Sequence, residues 1–283
     1  MTQKLNSPTT LHRNLFKFRV AEFVVVFGLL VFVIFLSCSL SLQLLAAPPS
    51  DDGLKWLFDK YDVSEPMSLI PRENLAGWTA HYGKELTKSR WSVVDGVLIC
   101  DGSKNNHLAG DLVTKKEYTN FILDFEWINS KGGNSGIKYK LKDFGEIGSA
   151  INYTKNFGWL GCEYQILDDP NNREGNGNNG KYAAAALYSV IGAKKNKKLN
   201  PHNEINTGRI IVADNHIEHW LNGEKVVEYD LNSEQWKIAL SKSKYARATD
   251  FGANRTGLIM LQDHGNKIKF SKLIIRELEP KKK

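Results

Sequence analysis

At 283 residues, with 24% charged and 42% hydrophobic side chains, the chain has a globular composition and room for one large domain plus an extra segment. The formal charge is +7, but residues 1–47 hold +3 of it (Lys4, Arg13, Lys17 and Arg19 against Glu22) and Lys281–Lys283 another +3, so the body is nearly neutral. That excludes the basic footprint of a nucleic-acid binder.

In chain order, the basic opening precedes an uncharged stretch, Phe23–Ala47, whose core Phe23–Leu36 is continuously apolar except for Gly28. This pattern predicts an export signal over residues 1–47, or an uncleaved membrane anchor in the same place. Membrane contact is expected through this segment alone, and the remainder faces outward, in the periplasm or outside the cell. Pro48–Gly53 opens a linker and lead-in that runs to residue 68, and the folded domain is expected over residues 69–280. Trp91–Ile99 reads as two strands about the Asp95-Gly96 turn, the strongest short-range hairpin signal. Phe121–Trp127 alternates Phe121, Leu123, Phe125 and Trp127 against Ile122, Asp124 and Glu126, and Gly136–Leu141 alternates in the same way. Further strands are predicted over Gly161–Leu167, Arg209–Ala213, His216–Leu221, Lys225–Tyr229, Thr256–Gln262 and Lys267–Leu278. Asn222-Gly223 is expected to turn one hairpin and Gly265-Asn266 the last. Only Ser233–Leu240 suggests a helix. Many short strands with such turns predict an all-β, two-sheet sandwich of jelly-roll type.

Alternate side chains of a strand share a face. Asp124, Glu126, Lys138, Lys140, Glu163, Gln165, Gln262 and His264 are therefore expected on an outward face, converging if that sheet is concave. For Asp124 and Lys138 the reading is the solvated positions that alternation demands. Glu163 with Gln165, and Gln262 with His264, put carboxylate, amide and imidazole where exposed strand faces usually carry Thr, Lys or Val, which suggests a polar-ligand site. Cys100 and Cys162 either pair in an oxidising compartment or stand as small buried thiols. His216 and His219, three apart, point to opposite faces and argue against a two-histidine metal site. The asparagine-rich Asp168–Gly180 segment fails the EF-hand spacing and reads as a loop at the groove rim. The run Lys194–Lys198 reads as a solvated loop. Trp159, Tyr164, Trp220 and Trp236 are either stacking platforms for a sugar or core.

Four segments, Asn134-Ser135-Gly136-Ile137, Gly161–Asp168, Trp220-Leu221-Asn222-Gly223 and Leu261–Gly265, occur in an order that resembles the 3-keto-disaccharide hydrolase domain family. Leu112–Tyr118 and Ile275–Leu278 fit as well, and the resemblance covers roughly Leu69–Leu278. It departs where the family usually has an arginine and this chain has Lys140, a point charge in place of a planar fork. It departs again at Glu204-Ile205-Asn206, which lacks a tryptophan. The resemblance implies a concanavalin-like jelly roll and a saccharide substrate already oxidised at C3 by a separate dehydrogenase, in keeping with the absence of a dinucleotide fingerprint here. A C3 ketone acidifies the C2 hydrogen; a base removes it, the enolate expels the C1 substituent, and water adds to the enone. Such chemistry needs a base, an acid and a group for the C3 oxygen, without the paired carboxylates of ordinary glycosidases.

His264 is the expected general base or acid, because an imidazole titrates near neutrality; its alternative is a solvated turn histidine. Glu163 is its expected partner, as a second acid/base or as a ligand for a divalent cation at the enolate, the alternative being an ion pair with Lys138 or Lys140. Gln165 and Gln262 are expected to hold sugar hydroxyls, Lys140 to face the carbonyl oxygen, and Glu126 to share the substrate face. Asn134 either shapes the turn into its strand or touches substrate. Asp168 and Asp263 are expected to support loops. A divalent cation is the sole cofactor these residues suggest. The competing function is a non-catalytic carbohydrate-binding module with the same groove.

Overall fold

The protein, studied as a computed structural model, is described at residue 51 and over residues 53–81, 86, 89–102, 110–143, 159–175, 177–248 and 251–282, all in one compact unit, Ala47–Lys283. The apolar segment Phe23–Ala47, with Cys38, and His107 lie outside the described residues. No helix among the described residues is long and apolar enough to cross a membrane.

The described elements run α1 (Lys55–Lys60), β1 (Tyr61–Val63), β2 (Met67–Ser68), β3 (Trp78–Ala80), β4 (Trp91–Val94), β5 (Val97–Cys100), β6 (Leu112–Thr114) and β7 (Phe121–Asn129). They continue with β8 (Asn134–Asp143), β9 (Trp159–Leu167), β10 (Asn206–Ala213), β11 (His216–Leu221), β12 (Glu224–Asp230), α2 (Glu234–Ser241), β13 (Leu258–Leu261) and β14 (Ile268–Pro280). The larger sheet has the order β12-β11-β10-β7-β14-β5-β4, with β1 and β2 also on β14; the smaller is β3-β6-β13-β8-β9. Every pairing is antiparallel, so the expected two-sheet β-sandwich is what forms.

The alternation read from the sequence builds the core. Phe121, Leu123, Phe125 and Trp127 from β7 meet Ile137, Tyr139, Tyr164 and Ile166 from β8 and β9 in one buried cluster. Both dipeptide turns behave as their residues dictate: Asp95 and Gly96 have φ of 50° and 75°, Asn222 and Gly223 of 47° and 82°, the paired positive values of a tight two-residue hairpin. Ser233 caps α2 by accepting from the Trp236 amide. Gly265-Asn266 is different. β13 pairs with β6 and β8, whereas β14 pairs with β5 and β7, so this connection carries the chain from one sheet to the other and turns no hairpin.

Residues 51–68, expected as linker and lead-in, belong to the folded body. Leu54, Leu57 and Tyr61 are buried against Ile122, Ile211 and Leu278 on the outer face of the larger sheet. Asp51 pairs with Arg209 and Arg276, which also hold Asp124. The outward face of β7 is therefore covered, and Asp124 and Glu126 are buried where alternation alone predicts solvent.

Candidate active site

A cavity of about 200 Å³ opens on the outer face of the smaller sheet, above β8, β9 and the chain just after β13. It is smaller than the roughly 300–1,000 Å³ typical of drug-sized ligands, a scale suited to a single sugar unit. Its floor comes from strand register: Gly136 lies opposite Gln165, and Lys138 opposite Glu163. Glu163 is 4% exposed, and its carboxylate leans over Gly136, where a Cβ would stand 2.3 Å from Oε1. The glycine makes the room the carboxylate occupies. Among the described residues no cation stands within ion-pair distance of Glu163, so the pair with Lys138 does not form.

Gln165 is 1% exposed, and its Oε1 is buried with no hydrogen-bond partner among the described residues. Its Nε2 donates to Asn134 Oδ1 at 3.4 Å. Burying an amide oxygen without a donor costs about 1–3 kcal/mol, so this atom is an unsatisfied acceptor beside the cavity.

Gln262 and His264 reach the rim because the residue between them is tied down on the other side. Arg90 Nε donates to Asp263 Oδ2 at 2.7 Å, and the Asp263 amide donates to Asp111 Oδ1 at 2.8 Å. The strand has ended at Leu261, so this anchoring, rather than pleating, aims His264 at the cavity, where its ring is exposed. Burial acts to raise the Asp111 carboxyl; the His81 hydrogen bond, the Lys138 charge and the Asp263 amide outweigh it and hold the group below the usual carboxylate range. Asp168 likewise supports a loop, accepting from the Gly132 amide at 2.7 Å.

The opposite wall is formed by residues that strand patterning does not reveal. Residues 183–191 run along the edge of β9: the Tyr188 amide donates to the Glu163 carbonyl at 3.0 Å and the Gln165 amide to the Ala186 carbonyl at 3.1 Å. This places Tyr188 beside Glu163. After α2 the chain brings in Lys244 and Tyr245. Lys244 Nζ lies 4.1 Å from the Tyr188 ring centroid and 4.9 Å from that of Tyr245. Tyr245 is stacked on Phe251 at 4.2 Å, and Phe251 on Trp236. Desolvation of its ammonium pushes Lys244 below the ordinary lysine range; Glu163 opposes the shift and Lys138 assists it.

Two expected members are absent from the cavity. Lys140 sits at a bulge, with φ of 52° and a register shift between Tyr139 and Lys142. The extra residue reverses the alternation, so Leu141 packs outside with Val113 and Met260, while Lys140 is 3% exposed, with Cys162, Arg255 and Asp214 as its charge neighbours. It cannot face the sugar carbonyl. Glu126 lies on the other sheet, accepting from Ser271 Oγ at 2.9 Å, and takes no part. Lys138 does line the cavity, as do Asn134 and Trp159. Of the four proposed aromatic platforms, Trp159 is the one that lines the cavity; Tyr164 and Trp236 are core, and Trp220 packs on the outer face of the larger sheet.

Other candidate groups are internally compensated. A larger cavity of about 610 Å³ lies beside Asp168–Asn171. There Lys197 pairs with Asp169 at 2.7 Å, and His202 stands 3.5 Å from Asp168, so the lysine run is partly structural. His216, Glu218 and Glu228 offer ligand atoms within 4.8 Å of one another, but Lys225 already contacts both carboxylates, at 3.0 and 2.8 Å. His219 faces inward: its Nδ1 meets the Ala185 carbonyl at 3.0 Å and its Nε2 the Tyr139 hydroxyl at 2.7 Å. Cys100 and Cys162 are free, buried thiols.

The family model for the 3-keto-alpha-glucoside-1,2-lyase-like domain matches residues 65–276. A 3-keto-disaccharide hydrolase of Bacteroides thetaiotaomicron is 31% identical over 240 residues, 77% of this chain and 80% of that protein. Two candidate glycosyl hydrolases of Parabacteroides distasonis share the architecture. One is 30% identical with a TM-score of 0.64, covering 76% of this chain and 94% of its own. The other is 27% identical with a TM-score of 0.56, covering 76% of this chain and all of its own. Family match, curated relative and shared architecture agree with the motif order in the sequence, and the chain belongs to the 3-keto-disaccharide hydrolase family.

Proposed function

We propose that this protein is an exported enzyme that cleaves 3-keto-glycosides, including 3-keto-disaccharides, between C1 and the aglycon oxygen. The observation that carries the reading is the convergence of Glu163 and Gln165, from β9, with Gln262 and His264, from the chain just after β13, on one polar cavity. Family membership supplies the substrate class. The floor carboxylate of Glu163, which has no cation within ion-pair distance among the described residues, takes the C2 proton. Electrons move into C2=C3 and onto the C3 oxygen, then return to expel the C1 oxygen, which His264 at the rim protonates. Water then adds to the enone, and net hydrolysis results. Gln165 Oε1 accepts from a sugar hydroxyl, and Gln262 and Asn134 hold further hydroxyls. Holding both proton-transfer groups against one bound ring is worth orders of magnitude in rate. A separate dehydrogenase supplies the C3 ketone. The oxygen donors that could hold a divalent cation beside the enolate are the Glu163 carboxylate and Gln165 Oε1. The basic, then apolar, residues 1–47 support export.

The test is product release from a 3-keto-disaccharide and from its unoxidised parent. Turnover of the keto sugar alone, lowered about 10²–10⁴-fold in Glu163→Gln and His264→Ala, is the expected result. Tight binding of saccharide without turnover would replace the enzyme with a carbohydrate-binding module.

A further inference from the structure

Loss of a proton from C2 places negative charge on the C3 oxygen, and the site must meet that charge with a cation or strong donor. Lys140, the lysine that the motif pattern offers for this task, is turned into the protein by the β8 bulge. Two other lysines line the cavity, Lys138 and Lys244. Lys138 lies in register with Glu163, and its charge helps to keep Asp111 ionised, so it serves the scaffold that aims His264. Lys244 is placed differently. Its ammonium rests against the faces of Tyr188 and Tyr245, and among the described residues no carboxylate lies within ion-pair distance of it. Aromatic faces hold a cation in place, worth roughly 0.5–2 kcal/mol each, without neutralising it as a carboxylate would. The mount is tied to the fold: the Lys244 amide donates to Ser189 Oγ at 3.2 Å, the Tyr188 amide donates to the Glu163 carbonyl, and Tyr245 is stacked on Phe251. One strand edge thus positions the floor carboxylate and the uncompensated cation together.

We propose that Lys244 is a catalytic residue of this site, its ammonium binding the C3 oxygen of the 3-keto sugar and stabilising the enolate that forms when the C2 proton leaves. This deepens the reaction proposed above and rests on it. The step balances without further reactants: the C2–H bond breaks, its proton goes to Glu163, the electron pair becomes C2=C3 with charge on the C3 oxygen held by Lys244, and collapse of that charge expels the C1 oxygen with a proton from His264. Only the protonated amine can act, so rate falls as pH rises through the depressed Lys244 titration. An arginine, always charged, removes that limit.

The experiment measures kcat and KM for release of 4-nitrophenol from its 3-keto-α-glucoside by the full chain, from pH 6 to 11. Wild type is compared with Lys244→Met, Lys244→Arg and Lys138→Met, each also checked for its thermal midpoint. The expected result is a loss of about 10²–10³-fold in kcat for Lys244→Met with KM changed less than about threefold. Lys244→Arg should recover part of the rate and carry it to higher pH. If wild type turns over the keto sugar and Lys244→Met retains kcat within threefold, the assignment of Lys244 is overturned while the reaction stands. The same holds if the large kcat loss follows Lys138→Met instead, or if Lys244→Arg keeps the wild-type alkaline limb. If wild type leaves every 3-keto-glucoside intact, the reaction itself fails, and this inference with it.

Discussion

Acidification from pH 7 to pH 4 will cost this fold about 3 kcal/mol through His219 alone. The ring is fully buried, donating through Nδ1 to the Ala185 carbonyl and accepting at Nε2 from the Tyr139 hydroxyl, which in turn meets the Tyr229 hydroxyl at 2.7 Å. A second proton would abolish the acceptor and bury a charge, so burial pulls its pKa down to about 4, against the partial opposition of the Ala185 bond. The unfolded chain titrates near 6.5. Between those values the unfolded state binds a proton that the folded state refuses, so stability is complete above pH 6.5 and declines as pH falls toward 4. Below that it levels off. Integrating with RT near 0.59 kcal/mol gives a loss of about 1.4 kcal/mol at pH 5.5, about 3 at pH 4 and a limit of about 3.4. The carboxylates held low in the fold, such as Asp111, Asp214 and Glu218, begin to lose their contribution as pH falls below about 5, so near pH 4 their window overlaps that of His219 and the comparison with a His219 variant isolates the imidazole. The assay is urea unfolding of wild type and His219→Gln, followed by tryptophan fluorescence at pH 7, 5.5 and 4. The variant should be less stable at pH 7, and the gap should close by those amounts as pH falls. A wild-type minus variant difference that stays constant over this range would refute the account.

Gly136→Ala should cost no more than about 1 kcal/mol of stability, because the atoms nearest the new methyl all belong to the Glu163 side chain. By displacing that carboxylate it should still lower kcat for a 3-keto-glycoside at least tenfold; equal kcat in the two proteins would remove Glu163 from the chemistry. Leu57→Ala should cost about 2–5 kcal/mol, measured by denaturant midpoint, since Leu57 is fully buried against the larger sheet. A loss under 1 kcal/mol would show that residues 51–68 are the dispensable linker their composition suggests.

Local chemistry was enough for much of this protein. Alternation of Phe121, Leu123, Phe125 and Trp127, the Asp95-Gly96 and Asn222-Gly223 turns and the Ser233 cap depend on neighbours within a few residues, and the two-sheet sandwich follows from their repetition. The pairing of Glu163 with Gln165 was legible for the same reason, whereas Gln262 and His264 meet at the rim because Asp263 between them is anchored beyond the end of β13. What one strand cannot encode is which sheet it joins and what covers it. Glu126 and Glu163 both occupy polar positions of alternating strands, yet β7 and β9 lie in opposite sheets, and residues 51–68 close over the first while the second stays open. A single extra residue at Lys140 reversed the facing that its spacing predicts. Lys244 carries no motif at all: it reaches the cavity because Trp236, Phe251 and Tyr245 stack on the core and carry the chain beyond α2 to Tyr188. Periodicity is set by the geometry of one backbone and can be read from sequence; convergence is set by register, bulges and packing among segments far apart in the chain, and only the tertiary structure decides it.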